Sequence, residues 1–377
     1  MQSETNAKAR LWAEVDLQAL QFNFQQIKSL VQKGTRVMAV VKADAYGHGA
    51  VPCAKALLET GADYLAVATT EEAVELRQAH ISAPILILGY TAPEHAATLI
   101  EHQITATVYS VAMAEKISAV ADEMNKKAKV HLKLNTGMER IGFEPEQTEE
   151  MLAVCRLSGL EVEGIFTHLA CADCADSSSV HTQYERFNGA VEALKQEGIT
   201  IPLRHIANSA GIFDFADYHL DMVRAGIVLY GYYPSDYIHT ERALLKPVLS
   251  LKSRVIHLHT AEEGRGISYG WTYTAGSSMQ VATVPVGYAD GYSRFLSNKA
   301  EMIVNGQKVP VIGRICMDQC MIDVTSVHTI TVGDIVTVIG KEGEASVTAD
   351  DLAEKAETIS YEVLCDISKR VPRLYIK

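Results

Sequence analysis

Lys42 is the residue of this chain whose setting most favours chemistry. It closes the apolar run 37–41 in the segment VMAVVKADAYGHGA, where a strand buried on both faces would fix its stem and bring its amine to the strand's mouth. Such an amine can condense with a carbonyl cofactor, or it can be one of the many lysines that flank buried strands with their heads in water. The small and polar residues that follow, Asp44, Tyr46, Gly47, His48 and Gly49, suit a turn that grips an anion. Other apolar runs end the same way: Lys133-Leu134-Asn135-Thr136-Gly137 with Arg140 just beyond, His168, and Asn208-Ser209-Ala210-Gly211. Arg224 stands at the beginning of a further run and is followed by Gly226 and Ile227. Ser209 offers a hydroxyl and Gly226-Ile227 a closely approachable backbone, both suited to phosphate; Gly226 would equally serve tight packing.

These residues need a scaffold that carries the ends of several runs to one rim. Short apolar runs at 37–41, 64–68, 85–88, 105–108, 130–134, 162–167, 205–207 and 223–230 alternate with helical patterns. Eight such units predict a closed (β/α)8 barrel, with chemistry collected at the carboxyl ends of its strands. An open doubly wound sheet fits less well, because no G-x-G-x-x-G turn follows a first strand. Closure makes the first and eighth strands neighbours, so one small cofactor can reach both Lys42 and a phosphate site on the last two strands. Pyridoxal phosphate is the cofactor that combination serves. Beyond Pro247 the texture becomes short β-rich runs split by turns such as Asn305-Gly306, a strong hairpin signal. We expect residues 1–240 to form the barrel. Residues 241–377 should form a mainly antiparallel β-rich domain, a small barrel with one helix near 349–359. The strand at 12–15 could pack with either unit, so residues 1–16 are open to assignment with the second.

Composition narrows the classes. The chain has 377 residues and a formal charge of 34 minus 46, or -12, which argues against a nucleic-acid surface. No run is long and apolar enough for a membrane helix, and the first residues lack the apolar core of a secretory signal. Seven cysteines, an odd number, point to a reducing cytoplasm. Cys171 and Cys174 form a C-x-x-C with no second pair nearby and read as loop thiols, so no metal is expected.

Nine segments make the chain recognisable: AVVKADAYGHG, NTGMERIGF, FTHLA, HIANSA, MVRAGIVLYG, GISYGWTY, PVGYADGYSR, GRICMDQCMIDV and SYEVLCDISKRVPR. In this order and across both domains they resemble the pyridoxal-phosphate-dependent alanine racemases (fold type III). The resemblance implies interconversion of L- and D-alanine in a head-to-tail homodimer, supplying D-alanine for peptidoglycan. It implies Lys42 as the Schiff-base lysine and one base, and Tyr269, from the partner subunit, as the other. His168 would orient Tyr269 with Arg224 behind it, Arg224 donating to the pyridine nitrogen. Tyr46, Asn208, Ser209, Gly226, Ile227 and Tyr361 match cofactor contacts. Arg140 and the Met317 backbone match the substrate carboxylate grip, and Lys133 matches a position that can carry a carbamate. The chain departs from the family pattern at Asn135, where aspartate is frequent, and at Glu139, where glycine is frequent. Serine as preferred substrate is the nearest alternative, since small pockets reject a hydroxymethyl group weakly. A fold-related decarboxylase is a more distant one.

Overall fold

The computed structural model describes residues 9–376, so the reading of the first eight residues lies outside the described ones. The chain divides into two compact units. One comprises Leu20–Ala45 with Ala50–Lys246; the other holds the segment ending at Ala19, Tyr46–Gly49 and the chain from Pro247 onward.

Strand β1 (Leu11–Asp16) belongs to the second unit. The first unit holds β2 (Arg36–Val40), β3 (Tyr64–Val67), β4 (Ile85–Ile87), β5 (Ala106–Val108), β6 (Ala128–Lys133), β7 (Leu160–Phe166), β8 (Leu203–His205) and β9 (Met222–Ala225). Neighbours pair in parallel from β2 to β4 and from β5 to β8, and β9 pairs back with β2 through Arg36↔Met222 to Ala39↔Ala225. A parallel bridge, Leu86↔Thr105, joins β4 to β5. On the other side Arg224 N–H donates to Ala207 O at 3.0 Å and Asp221 N–H to Arg204 O at 3.1 Å, which closes the ring. The strands are near-continuous Val, Ile, Leu and Ala because helices cover the outside while side chains fill the inside. Ser110 and Thr69 cap two of those helices by accepting from Met113 N–H and Glu72 N–H, so the loops at this rim are short.

The last strand differs from expectation. The predicted run 223–230 breaks at Gly226 (φ -113°, ψ -109°), and Ile227–Tyr230 is a turn of 3-10 helix. That tetrapeptide is fully buried, and periodicity alone cannot tell a short buried strand from a buried helical turn. Arg224 consequently lies at the carboxyl end of its strand, not at the beginning, and joins the same rim as the other polar residues.

In the second unit β1 lies between β10 (Leu249–Arg254, antiparallel) and β20 (Arg373–Ile376, parallel). The other principal strands are β11 (His257–Ala261), β14 (Met279–Val284), β15 (Glu301–Val304), β16 (Gln307–Ile312), β17 (Cys320–Asp323) and β18 (Ile335–Glu342). Short strands β12 (Gly266–Ile267) and β13 (Tyr273–Thr274) pair with each other, and β19 (Ala345–Val347) pairs with β18. Pairing runs in the order β11, β14, β17, β16, β15, β18, β10. β10 passes into β11 through Val255, which exchanges hydrogen bonds with Gly333 and Asp334 ahead of β18, and Ile256, whose N–H donates to Thr283 O on β14. The strands therefore return on themselves as the small, mainly antiparallel barrel expected, with β1 and β20 added beyond β10. Asn305 (φ 50°) and Gly306 (φ 74°) turn β15 into β16, as a type I′ hairpin requires. The expected single helix is two, Ala349–Ala356 and Ser360–Cys365, separated where Glu357 adopts φ 61°. Among the described residues no helix is long and apolar enough to cross a membrane.

Candidate active site

The amine of Lys42 stands where β2 gives way to backbone of unusual hand. Val41 N–H closes the last rung on Ala66 O at 2.8 Å. Ala43, Asp44, Ala45 and Tyr46 then all adopt φ of 52–53°, a left-handed turn that costs L-residues roughly 1–2 kcal/mol each. Carboxylates hold it. Glu72 accepts Ala43 N–H through Oε1 and Ala68 N–H through Oε2, both at 2.7 Å, and Asp44 Oδ1 accepts Ala50 N–H at 2.7 Å. Glu72 escaped the sequence reading because an acid in a helix's first turn is ordinary.

Around His168 the acting charges are all of one sign. Arg224 is buried and donates through Nη2 to Thr167 O (2.9 Å), Ile206 O (3.1 Å) and His168 Nδ1 (3.2 Å), and through Nη1 to His205 O (3.0 Å) and Nδ1 (3.1 Å). Burial, then Arg140, lowers its pKa to about 9, so it remains a cation at neutral pH. His168 is held well below the usual imidazole range, first by burial and then by Arg224, Arg140, Lys133 and Lys42. It is therefore neutral. Because Nδ1 accepts from Arg224, its proton sits on Nε2, available to a further acceptor. Lys133 is lowered to about 7 by burial, Arg224 and Arg140. Four basic side chains converging on one imidazole call for anionic groups, as a phosphorylated cofactor and an amino-acid carboxylate supply.

Ser209 Oγ accepts Gly226 N–H at 3.0 Å, tying the loops after β8 and β9 together. Asn208 Oδ1 caps the next turn by accepting Gly211 N–H at 3.0 Å. Ser209, Gly226 and Ile227 thus lie side by side at the rim, with Arg140 more exposed on the loop after β6. The two departures in that loop form a matched pair. Asn135 Nδ2 donates to Glu139 (3.2 Å) and Glu144 (2.8 Å), and its Oδ1 accepts Glu139 N–H at 3.0 Å. An aspartate would repel both carboxylates. Glu139 occupies φ 53°, a conformation in which glycine is at ease.

In the second unit, Tyr46 and Tyr361 stand with ring centroids 6.0 Å apart. Burial, followed by Tyr361, raises the Tyr46 phenol well above its ordinary value, so it stays a hydrogen-bond donor. Tyr269 is 70 % exposed, beside Trp271 at 75 %, on a loop where Ser268 has φ 63° and ψ -172°. That conformation is nearly glycine-only, and Ser268 Oγ anchors it by donating to Arg314 O at 2.6 Å. Met317 is also exposed, and among the described residues nothing accepts its backbone N–H. Cys171 and Cys174 lie in the loop after β7, both free thiols.

His131 and His205, absent from the expected site, are buried within β6 and β8. The available signal was a histidine inside one apolar run and at the head of the other.

A lysine at a strand mouth, loops that bring Ser209, Gly226 and Ile227 together and a group of cations at the carboxyl rim of a parallel barrel, with a β-rich second unit, are the parts of a barrel-type pyridoxal phosphate enzyme. Comparison with known proteins gives the particular kind. Family models described as alanine racemase N-terminal domain and C-terminal domain match residues 15–234 and 248–375. The alanine racemase of Methanococcus maripaludis is 46% identical over 368 residues, covering 97% of this chain and 98% of that protein. The solved alanine racemase of Clostridium difficile 630 superposes with a TM-score of 0.94 at 45% identity, over 98% of this chain and 96% of that one. That of Bartonella henselae, solved with covalently bound pyridoxal phosphate, gives 0.88 at 30% identity, over 98% of this chain and 100% of that one. The chain belongs to the alanine racemase family: it is a pyridoxal-phosphate-dependent isomerase that interconverts L- and D-alanine.

Proposed function

We propose that the enzyme is a cytoplasmic homodimer that supplies D-alanine for peptidoglycan, and that each site takes one base from each subunit. When bound, pyridoxal phosphate supplies the carbonyl and conjugated ring that make the α-proton of alanine acidic. Lys42 holds the cofactor through its amine and moves the proton at one face of the α-carbon. Tyr269 of the partner subunit moves it at the opposite face, as inversion requires. The observation that carries this reading is the exposure of Tyr269 on a strained, anchored loop. Its phenol is presented outward on rigid backbone, which suits service in another subunit better than packing in its own.

His168 donates from Nε2 to the phenolic oxygen of Tyr269 and steadies it as a base. Arg224 donates a hydrogen bond to the ring nitrogen but does not hand over its proton. This favours quick return of a proton to the α-carbon over other fates. Tyr46, Asn208, Ser209, Gly226, Ile227 and Tyr361 hold the cofactor, chiefly its phosphate. Arg140 and the Met317 N–H grip the substrate carboxylate. Lys133, whose amine is largely neutral just above neutrality, carries a carbamate. Nitrogen bonds to the carbon of CO2, an oxygen takes the π pair, and the amine proton leaves to water. The resulting anion steadies Arg140.

Mixing separately inactive Lys42→Ala and Tyr269→Phe chains tests the shared site. Exchange of subunits should restore activity, because one site of each heterodimer is intact. Demonstrated exchange without activity would assign both bases to one chain.

A further inference from the structure

A row of buried polar side chains runs down the barrel from Arg224 and plays no part in the reaction as assigned above. Nε2 of His205 lies 2.9 Å from Nδ1 of His131. Beyond them Glu163, on β7, accepts hydrogen bonds from Tyr64, from Thr105 at 2.9 Å and from Lys129 at 2.9 Å. These three donors line a cavity of about 470 Å³ at the amino-terminal mouth of the barrel, opposite the catalytic rim.

The two ends of the row dictate where the protons in its middle reside. A guanidinium has no acceptor atom, so the His205 Nδ1 that meets Arg224 Nη1 at 3.1 Å must offer its lone pair. The His205 proton is then on Nε2 and is donated to His131 Nδ1. His131 must carry its own proton on Nε2, which faces Glu163 Oε1 at 3.6 Å. That separation is longer than a hydrogen bond, yet no other described group satisfies this buried nitrogen. An ionised carboxylate only accepts, so the direction is the same read from either end. Burial first, and then for His205 its neighbours His131 and Arg224, keeps both imidazoles below their usual range; each holds one proton. Burial would raise Glu163, but the facing His131 N–H and the hydrogen bonds from Tyr64 and Lys129 outweigh it and hold the carboxyl well below the usual range. Gly164 makes room for the row, since a Cβ there would stand 2.5 Å from the His131 ring.

We propose that Glu163 is a positioning residue for racemisation: through His131 and His205 it keeps His205 Nδ1 an acceptor, and so holds the Arg224 guanidinium in the orientation the cofactor ring requires. With the tautomers reversed, an imidazole N–H would confront a guanidinium N–H, and Arg224 would lose a partner. The inference rests on the reading of Arg224 as the residue that faces the ring.

The test is ¹⁵N NMR of histidine-labelled holoenzyme, read beside steady-state kinetics. In the wild type, His131 and His205 should both show protonated Nε2 and bare Nδ1; a protonated His205 Nδ1 overturns the proposal without any variant. Glu163→Leu should scramble both tautomers and lower kcat roughly tenfold to a hundredfold, the worth of one charge-assisted hydrogen bond, with KM within about threefold. Gly164→Ala, which displaces His131 from the other side, should do the same. Glu163→Gln keeps an acceptor oxygen and should retain the tautomers and most of the rate; a loss as large as that of Glu163→Leu overturns the tautomer argument. Unchanged tautomers in Glu163→Leu overturn the relay itself. Scrambled tautomers with unchanged kcat overturn the proposal while leaving the reading of Arg224 intact, since its three carbonyl acceptors remain; loss of kcat in Arg224→Lys is the separate check on that reading.

Discussion

The two proposed bases stand in opposite surroundings on similar backbone. Lys42 is half-buried at the mouth of a closed barrel, among Arg224, Lys133, Arg140 and a neutral His168. Tyr269 is 70 % exposed, with Trp271 and Met317 exposed in the same unit. Yet each adjoins strained backbone: four left-handed residues after Lys42, and Ser268 and Trp271 on either side of Tyr269. Strain persists only where the surroundings over-determine it. Here Glu72 and Asp44 do so for one turn, and Arg314 O, through Ser268, for the other. On the proposed reading, the difference is that Lys42 is placed by the chain's own barrel whereas Tyr269 is offered outward, so that dimerisation would complete the chemistry.

Removing each base separates these halves. Lys42→Ala should abolish the covalent cofactor linkage and bring racemisation to background; absorbance of the bound cofactor and polarimetry check both. An intact linkage would break the comparison at its better-supported end. Tyr269→Phe should leave the linkage untouched while lowering kcat by roughly two to four decades, as loss of a general acid-base group does. Residual exchange of the α-proton with solvent deuterium should survive best for D-alanine. Equal loss of linkage in both variants would mean that Tyr269 holds the cofactor instead of moving a proton.

How much of this was legible beforehand follows from the kind of signal each residue leaves. The barrel strands declare themselves as short apolar runs at steady intervals, and polar residues at their ends mark one rim. Arg224 was misplaced within its strand because Ile227–Tyr230 is as apolar as a strand and buried in another conformation. The left-handed turn after Lys42 leaves no local trace in Ala43 and Ala45, whose types give no hint of positive φ; Asp44 tolerates it and helps to hold it, with Glu72, distant in sequence. Tyr269 and Met317 left no mark in the sequence, because on the proposed reading an exposed aromatic loop and a bare backbone N–H acquire meaning only against a second copy.

Arg224→Lys probes the buried side of the comparison more gently. A lysine keeps the charge but cannot reproduce a planar fork that meets three carbonyls and two imidazoles. Losing one charge-assisted hydrogen bond predicts a fall in kcat of roughly tenfold to a hundredfold. Thermal unfolding should shift as well, since buried carbonyls at Thr167 and Ile206 lose their donor. A kcat loss without a Tm shift would mean that the guanidinium serves the ring alone.

The smallest expected effect concerns Lys133. Burial, with Arg224 and Arg140, lowers this amine from its ordinary 10.5 to about 7. The sign is that of a buried cation: below about pH 7 the group is protonated and inert toward CO2, and above it the neutral amine can add CO2. The carbamate then places an anion between two guanidinium groups and steadies Arg140, which is exposed, so the gain is that of a partly solvated ion pair. Such a pair is worth at most about 1 kcal/mol, or roughly two- to fivefold in KM for alanine. Bicarbonate added to CO2-free enzyme should therefore lower KM by that factor at pH 8, have no effect at pH 6, and do nothing to Lys133→Ala at either pH. A bicarbonate effect that persists at pH 6 or in Lys133→Ala would assign it to another amine. No effect at pH 8 would mean that Lys133 serves as a neutral amine, and that the matched pair of Asn135 and Glu139 alone shapes the loop on which Arg140 meets the substrate.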